Sequence, residues 1–386
     1  PERDRVMNLL SKRIIVGFNS NNYDIPILTQ YLRRSSVEYL KKLSDHIVNS
    51  SSPGWMTMKN FGIEPVPMNH IDLMEPAPGV MVSLKLYGAR LHSQRLQDLP
   101  YPPGKTLTKK EMDAVLAYCE NDLDTTIDLF HAIKPNLELR EKIGSEYKIQ
   151  VMSKSDGQIA EAIFKAKLGQ IKRPGEYHGT IQYDPPSYLK FKNPQLKEIL
   201  SFVSLHKFEL DGRGAIKLPT ELKGMKIEIG QSVYRIGIGG LHSSEKAQSL
   251  KPEKNQIMME RDVTSYYPMI IINRELSPKH LDKLFLKIYN QMFEDRREAK
   301  QKGDKLVDAS LKLALNSSFG KLGSKYSFLY SPELMLNVTL TGQLCLLWLI
   351  EVLERNGVSV ISANTDGFVS VLDKTNKDTF DKICQK

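Results

Sequence analysis

Two acidic residues at the ends of predicted strands most restrict the fold of this chain. Residues Val358 to Leu372 predict a β-hairpin, because two apolar stretches flank the turn-forming sequence Asn364-Thr365-Asp366-Gly367. Residues Gln256 to Val263 predict a further strand, in which Asp262 is the last acidic residue. Taken singly, each aspartate is also an ordinary turn or capping residue, and that alternative stays open at this point. If the strands are neighbours, the two carboxylates can instead hold divalent metal ions, for which magnesium and manganese are the best suited.

Three helices are predicted around these strands. Charged helices are expected from Leu281 to Lys302 and from Lys305 to Phe319. A more apolar helix is expected from Thr339 to Arg355, because Gly357 follows it as a glycine after a helix end should. The C-terminal part is therefore expected to combine a sheet with helices.

The first third of the chain predicts an α/β domain that ends near residue 145. Residues Arg13 to Asn19 are strand-like, and a helix is predicted to begin near Thr108, which has capping-box spacing with Glu111. The apolar residues that recur there with helical spacing are Met112, Val115, Leu116, Cys119, Leu123, Ile127 and Phe130. Between about 146 and 240, prolines and glycines interrupt the pattern, and Lys226 to Ile238 alternates like strands. We expect a connector with β-hairpins there.

Composition excludes several classes of protein. The 386 residues include 41% hydrophobic residues, which is too many for a mainly disordered chain. The longest apolar run, Leu344 to Ile350, is too short to span a bilayer, so we expect no membrane partner. Three cysteines are too few and too scattered for a disulfide framework or a zinc site, and together with the lack of a signal peptide they favour the cytoplasm. The net charge of +9 is compatible with a polyanionic partner such as nucleic acid.

Several segments resemble, in order, the motifs of family B DNA polymerases. DVTSYYPMI at 262–270, KLALNSSFG at 312–320 and SANTDG at 362–367 are similar to motifs A, B and C. Upstream, FNSNNYD at 18–24 and YCEND at 118–122 are similar to the second and third exonuclease motifs. GGLHS at 239–243 is similar to the glycine-rich loop between the two modules. Each string is weak alone, but their shared order over about 14–370 makes the resemblance specific.

The resemblance implies α/β plus α+β architecture. A ribonuclease H-like 3′–5′ exonuclease domain is expected at 1–145, a connector with β-hairpins and the glycine-rich loop at 146–240, and a polymerase palm at 241–386. The palm would carry short helical fingers at about 281–321. We expect a fragment that lacks the first exonuclease motif and the thumb, from a phage or another mobile element.

The resemblance also implies roles for residues of the polymerase half. Asp262, the main-chain carbonyl of Val263 and Asp366 would hold two Mg²⁺ ions, with Mn²⁺ as a substitute. Tyr267 would be a steric gate against ribonucleotides, and Arg297 is an alternative to Arg296 if the helix is rotated. The expected nucleotide-binding residues are Ser265, Tyr266 through its backbone, Tyr267, Arg296, Lys300, Lys312, Asn316, Phe319 and Gly320.

Two positions depart from the family pattern. Phe319 stands where the family has Tyr, so stacking should survive while minor-groove hydrogen bonding weakens. Asn364 stands where the family has its first motif C aspartate, a supporting neighbour of the ligand Asp366. We therefore expect activity to persist, with altered metal affinity.

The exonuclease half is expected to be incomplete. Asp24 and Asp122 would bind metal and Tyr118 would orient the attacking water, but the Asp-x-Glu pair of the family does not appear before residue 18. We expect a full proofreading site only in a longer parent protein. Elsewhere, Gly239, Gly240 and His242 are expected to contact the DNA backbone.

The predicted function is DNA-directed DNA polymerase, a two-metal nucleotidyl transfer of dNTPs to a primer 3′-hydroxyl. The partners would be primer–template DNA, dNTPs and replication accessory proteins of unknown identity, in the host cytoplasm if the chain is phage-encoded. Two alternatives stay open: a decayed polymerase that acts only as an exonuclease, and a non-catalytic DNA-binding protein. Either would leave the joint presence of Asp262, Tyr267, Lys312, Asn316 and Asp366 without a physical reason.

Overall fold

The computed structural model describes residues 2–50, 52, 54–79, 82–169, 171, 173–245, 247 and 249–385. These residues form a mixed α/β fold. Their contacts divide the chain into two compact units, Pro1–Ile159 and Ala160–Lys386. The predicted parts 1–145, 146–240 and 241–386 do not coincide with these units, because most of the expected connector belongs to the second unit.

The first unit is mainly helical and contains one small parallel sheet. Its strands β1 (Ile14–Gly17) and β2 (Asn69–Asp72) pair in parallel, with Gly17 opposite Asp72. The predicted strand near residue 14 is therefore confirmed as β1. The helices are α1 (Glu2–Lys12), α2 (Asp24–Leu32), α3 (Val37–Asn49), α4 (Gly54–Asn60), α5 (Leu84–Leu91), α6 (Lys109–Ala132), α7 (Lys134–Tyr147) and the start of α8 (Asp156–Leu168).

Helix α6 begins as the capping box predicts. The backbone amide of Thr108 donates to a carboxylate oxygen of Glu111 at 2.8 Å, and the Thr108 hydroxyl accepts from the amide of Glu111. Many of the apolar residues that predicted this helix are nevertheless exposed, namely Met112, Leu116, Cys119, Leu123 and Ile127. The helix packs through another face, where Gly88 of α5 approaches the side chain of Thr125.

The second unit is built on a six-stranded sheet with the order β5-β6-β7-β9-β10-β8. A separate two-stranded sheet pairs β3 with β4. The strands are β3 (Ile181–Gln182), β4 (Lys207–Phe208), β5 (Ile227–Ile229), β6 (Ser232–Arg235), β7 (His242–Ser243), β8 (Gln256–Asp262), β9 (Ser359–Asn364) and β10 (Gly367–Asp373). The remaining helices are α9 (Pro194–Leu205), α10 (Tyr266–Asn273), α11 (Asp282–Lys302), α12 (Lys305–Leu322), α13 (Pro332–Arg355) and α14 (Lys377–Cys384), with a 3₁₀ turn at Lys374–Asn376.

The predicted elements of this unit are present with modest shifts. The β9–β10 hairpin, the strand β8 and the helices α11 and α12 lie where the sequence predicts them. Helix α13 begins seven residues earlier than expected, at Pro332, because proline at the first helical position fits the helix without losing a needed N–H. The expected hairpin at 226–238 is present as β5–β6. It joins the same sheet as β8–β10 and so lies in the second unit.

Helix α13 forms the centre of the second unit's core. Its apolar residues, among them Leu344, Leu347 and Ile350, are fully buried in one cluster with the residues of the sheet. Within the part of the chain that the structure describes, α13 is also the one helix long and apolar enough to cross a membrane. Because 78% of that apolar window is buried inside the structure, burial in a protein core explains its composition.

Candidate active site

The sheet brings Asp262 and Asp366 to the same end of two neighbouring strands. In the antiparallel pair β8–β10, Asp262 lies opposite Gly367. The backbone amide of Val263 donates a hydrogen bond of 2.8 Å to the carbonyl oxygen of Asp366, which fixes the two segments to each other. The sequence-predicted pairing of these two acids across adjacent strands is therefore present.

The carboxylate of Asp262 acts electrostatically on that of Asp366. Partial burial raises the pKa of Asp366, and the nearby negative charge of Asp262 raises it further. The site thus concentrates negative charge on hard oxygen ligands, which fits a divalent cation such as Mg²⁺. The described residues contain no group of three or more His, Cys, Asp or Glu placed to hold a metal. Mg²⁺ is, however, usually held by one or two carboxylates together with water and substrate phosphates, so the donor set fits.

The turn that carries Asp366 rests on the glycine-rich loop. Thr365 has a left-handed backbone (φ 57°), and its amide donates to the carbonyl of Leu241 at 2.7 Å. A Cβ on Gly240 would lie 2.3 Å from the hydroxyl oxygen of Thr365, so only glycine allows this contact. His242 pairs with Asn364 and Arg235 in the sheet. Of the residues expected to contact DNA, Gly240 thus packs on the turn, and Gly239 and His242 lie beside it.

Gln343 of α13 holds the glycine-rich loop through hydrogen bonds to the loop backbone. This side chain is 1% exposed. Its amide nitrogen donates to the carbonyls of Gly237 and Gly239, both at 2.9 Å, and its oxygen accepts from the Gly237 amide at 3.0 Å. Sequence reasoning missed Gln343, because a polar residue inside a buried helix gives no sign of what it binds.

The two tyrosines that follow Ser265 point to different surroundings. The Tyr266 hydroxyl donates to the carbonyl of Gly342 at 2.6 Å, and burial strongly raises its pKa, so the hydroxyl end of this side chain is turned toward α13. The Tyr267 ring lies 4.3 Å, centroid to centroid, from the ring of Phe319 and is tilted by 34°. Two elements that the sequence places 52 residues apart therefore present one aromatic surface.

A cleft of about 460 Å³ lies beside this aromatic pair. Ser265 and Tyr267 line it from the start of α10, Asp366 and Thr365 from the β9–β10 turn, and cationic residues from the two long helices. Its full lining is Thr264, Ser265, Tyr266, Tyr267, Pro268, Arg296, Lys300, Lys312, Asn316, Thr365 and Asp366. Most of the residues predicted for nucleotide binding therefore share one cavity. Phe319 is not among these lining residues, but its ring contacts Tyr267, which is. A Cβ on Gly320 would have no neighbour within 4 Å among the described residues.

Arg296 connects three segments at the edge of this cleft. Its Nε donates to the carboxylate of Asp308 on α12 at 2.9 Å, and its Nη1 donates to the Ser265 hydroxyl at 3.0 Å. Arg297 instead pairs with Glu294 on its own helix, and its side chain is 66% exposed. The helix therefore presents Arg296 to the cleft, and the alternative choice of Arg297 does not apply. Asp308 is a further residue that the sequence analysis missed.

In the first unit, Asp24 lies near a buried carboxylate that sequence reasoning also missed. Asp72, at the end of β2, accepts hydrogen bonds of 2.8 Å from the amides of Asn19 and Asn21. Asn19 has a left-handed backbone (φ 56°), which turns these amides toward Asp72. Burial raises the pKa of Asp24, and the charge of Asp72 adds to that effect. No local signal marks Asp72, because Ile71 is the one apolar residue of β2.

Tyr118 and Asp122 interact on α6. Burial raises the pKa of Asp122, while a hydrogen bond from Tyr118 opposes that rise. Burial also raises the pKa of Tyr118, and the Asp122 charge raises it further. The predicted exonuclease residues thus fall into two interacting pairs, Tyr118 with Asp122 and Asp24 with Asp72.

Comparisons with known proteins give a distant likeness among solved structures. No family model matches the chain, and no curated protein matches it. Among solved structures, the chain is similar to the family B DNA polymerase from the hyperthermophilic archaeon Pyrobaculum calidifontis, with 15% sequence identity and a TM-score of 0.49. The match covers 96% of this chain and 47% of that chain, so the chain spans about half the length of that polymerase. Such a distant likeness assigns no role to any residue.

Proposed function

We propose that this chain is a DNA-directed DNA polymerase that adds dNTPs to a primer 3′-hydroxyl. The observation that carries the proposal is the cleft, in which Ser265, Tyr267, Arg296, Lys312 and Asp366 line one cavity although they come from four separate segments. Such a cavity combines cations for a triphosphate with an aromatic wall for a sugar and a carboxylate for a metal. A protein that only binds DNA has no need for this combination.

The cationic residues would bind the triphosphate of the incoming nucleotide. Arg296 can grip phosphate oxygens through two N–H groups, whereas Lys300 and Lys312 act as mobile point charges. The Ser265 hydroxyl accepts from Arg296, and it would donate its own proton to a phosphate oxygen. Together these groups would hold the α-phosphate in line with the attacking oxygen, which is the main source of rate enhancement in phosphoryl transfer.

Asp262, Asp366 and the carbonyl of Val263 would hold two Mg²⁺ ions, or Mn²⁺. When bound, these ions neutralise phosphate charge and activate the primer hydroxyl. The raised pKa of Asp366 supports this role, because a carboxylate that is costly to ionise in the empty site gains most from a cation. Asn364 beside it adds a hydrogen-bonding group without a further charge, which supports activity in spite of the departure from the family motif.

Tyr267 would select deoxynucleotides. Its ring forms one wall of the cleft and is supported by Phe319, so it cannot easily move aside for a 2′-hydroxyl. Asn316 of α12 lines the same cavity, and with Phe319 and Gly320 it would form the floor under the new base pair.

The first unit would be the 3′–5′ exonuclease half of a longer parent protein, with a ribonuclease H-like fold. Asp24 and Asp122 would supply metal ligands, and Tyr118 would orient the attacking water. The second unit would be a palm with short helical fingers formed by α11 and α12. Primer–template DNA would contact Gly239, Gly240 and His242 through its phosphates, so binding should weaken as the salt concentration rises. A phage or mobile-element origin is part of the same proposal.

Primer extension with the 386-residue chain tests the proposal. We expect Mg²⁺-dependent, template-directed addition of dNTPs that is weak and releases the DNA often. Asp262→Asn and Asp366→Asn should each abolish it. Asp373→Asn is the matched control, because Asp373 lies on the same strand β10 at its other end and should leave extension unchanged.

The same assay on the longer parent protein, which is expected to hold the full exonuclease site, separates the two alternatives. Shortening of the primer without extension would favour a nuclease whose polymerase half has decayed. Salt-sensitive DNA binding that needs no Mg²⁺ and survives Asp262→Ala, with neither extension nor shortening, would favour a non-catalytic DNA-binding protein.

A further inference from the structure

Asp308 holds the most buried cation of the cleft. The Asp308 carboxylate accepts from Nε of Arg296 at 2.9 Å, and the Arg296 side chain is only 14% exposed. Asp308 does not line the cleft itself. Its contact with Arg296 therefore bears on the cleft only through the guanidinium.

The contact determines how the guanidinium faces the cavity. The group is planar and carries five N–H donors. Asp308 uses the Nε donor and Ser265 uses one donor of Nη1, so three donors remain. Because Nε and Nη1 are both fixed, the plane of the group is fixed, and the N–H groups that remain are held in one orientation in which they can meet phosphate oxygens.

We propose that Asp308 is a positioning residue for triphosphate binding: it holds the Arg296 guanidinium in the orientation that a nucleoside triphosphate needs. The inference rests on the proposed function of the cleft and names a residue that sequence reasoning missed. An arginine side chain loses rotamer entropy when it is immobilised. Asp308 and Ser265 immobilise Arg296 before a ligand arrives, so the ligand bears less of that loss.

The opposite effect is also physically possible, and the experiment distinguishes them. Asp308 is an anion near an anionic ligand, so its removal could strengthen binding through lower repulsion. Its charge, however, is paired with Arg296 at 2.9 Å, and 29% of its side chain is exposed to screening water. The gain in dNTP binding from orienting the guanidinium should therefore exceed the loss caused by charge repulsion.

The test is the binding of a fluorescent dNTP to the full 386-residue chain, measured by anisotropy with Mg²⁺ and without DNA. Asp308→Ala should weaken binding about 3- to 10-fold, which corresponds to the loss of one hydrogen-bonded charge pair that is partly exposed. Asp308→Asn keeps the shape and one acceptor oxygen, so it should lose less. Glu298→Gln is the matched control. It also removes one negative charge, but from α11, where Glu298 forms an ion pair with Lys302 and not with Arg296.

A double-mutant cycle with Arg296→Ala separates positioning from a general loss of structure. If Asp308 acts through Arg296, Asp308→Ala should have little further effect once Arg296 is gone. In primer extension, the KM for dNTP should rise while kcat changes less. Unchanged or tighter dNTP binding by Asp308→Ala, or additive effects in the cycle, would overturn the inference while leaving the proposed function intact. Failure of the unmutated chain to bind any dNTP would contradict the proposed function itself, and the inference with it.

Discussion

Gly367 lies directly against the carboxylate of Asp262: a Cβ atom at position 367 would fall 1.9 Å from Oδ1 of Asp262. Gly367→Ala should therefore displace the Asp262 carboxylate, because the neighbouring strand leaves the methyl group no other space. We expect primer extension to fall at least about tenfold, because a displacement of about 1 Å in a catalytic group already lowers the rate strongly. Extension rates over a range of Mg²⁺ concentrations measure the effect.

Gly212→Ala is the control for this substitution, because a Cβ at Gly212 would have no neighbour within 4 Å among the described residues. It should leave extension unchanged. Equal activity of Gly367→Ala and the unmutated chain would show that Asp262 does not need its observed position.

Tyr267 should determine the choice between deoxyribonucleotides and ribonucleotides. Tyr267→Val removes the ring that lies 4.3 Å from Phe319 and opens the wall of the cleft. The preference for dNTPs over rNTPs should then fall about tenfold or more, because a clash with one hydroxyl no longer operates. Competition between the two nucleotides in single-turnover extension measures this ratio.

Tyr266→Phe provides the comparison, because it keeps the ring of a second tyrosine that lines the cleft and removes only the hydroxyl, which is bonded to Gly342. It removes the hydrogen bond to the Gly342 carbonyl and should cost about 1 kcal/mol of stability. The dNTP preference should not change. A loss of preference in Tyr266→Phe equal to that in Tyr267→Val would contradict the gate assignment.

Asp366 should make the metal-free protein less stable at neutral pH. Its pKa is raised in the folded state by burial and by Asp262, so the folded protein holds the proton more tightly than the unfolded chain does. Ionisation of Asp366 therefore lowers stability as the pH rises above the ordinary carboxyl value of 3.8. Asp366→Asn should raise the Tm at pH 7, and that gain should disappear below the ordinary carboxyl range.

For Asp373, at the far end of strand β10, we expect the opposite dependence of stability on pH. Hydrogen bonds from Thr375 lower the pKa of Asp373, so its ionised form stabilises the fold above the ordinary carboxyl range and this stability is lost as the pH falls. Asp373→Asn should therefore lower the Tm at pH 7. Added Mg²⁺ should raise the Tm of the unmutated chain and of Asp373→Asn, but not that of Asp366→Asn. Equal shifts in all three proteins would contradict metal binding by Asp366.

The local elements could be predicted because their signals are local. The capping box of Thr108 and Glu111 predicts the start of α6, and the turn sequence Asn364–Gly367 predicts the hairpin that carries Asp366. The meeting of Tyr267 with Arg296 and Lys312 in one cleft followed from the order of known motifs, not from periodicity. The roles of these residues stay predictions until they are measured.

Contacts made across the fold could not be predicted in the same way. Asp308 belongs to a charged helix, and nothing in its neighbourhood marks its contact with Arg296. The exposed face of α6 shows the converse, because apolar periodicity predicts a helix but not which face the fold buries. Asp72 gave no local signal, because its hydrogen bonds to Asn19 and Asn21 depend on a left-handed residue that the sequence does not predict.

Gln343 should control the turn that carries Asp366 without touching it. Gln343→Met keeps the size of the side chain but leaves the amide and carbonyl of the half-buried Gly237 and the carbonyl of the exposed Gly239 without this partner. The cost should be about 1–2 kcal/mol, because three hydrogen bonds are lost and water can reach part of the groups left behind. The loop should then release Thr365, whose amide binds Leu241, and primer extension should fall with it. Hydrogen exchange at amides 237–241 measures the loosening directly.

Gln231→Met, which changes an exposed glutamine bonded to Ser359, should change neither exchange nor extension. Faster exchange in Gln343→Met with full extension activity would show that the loop does not support the catalytic turn.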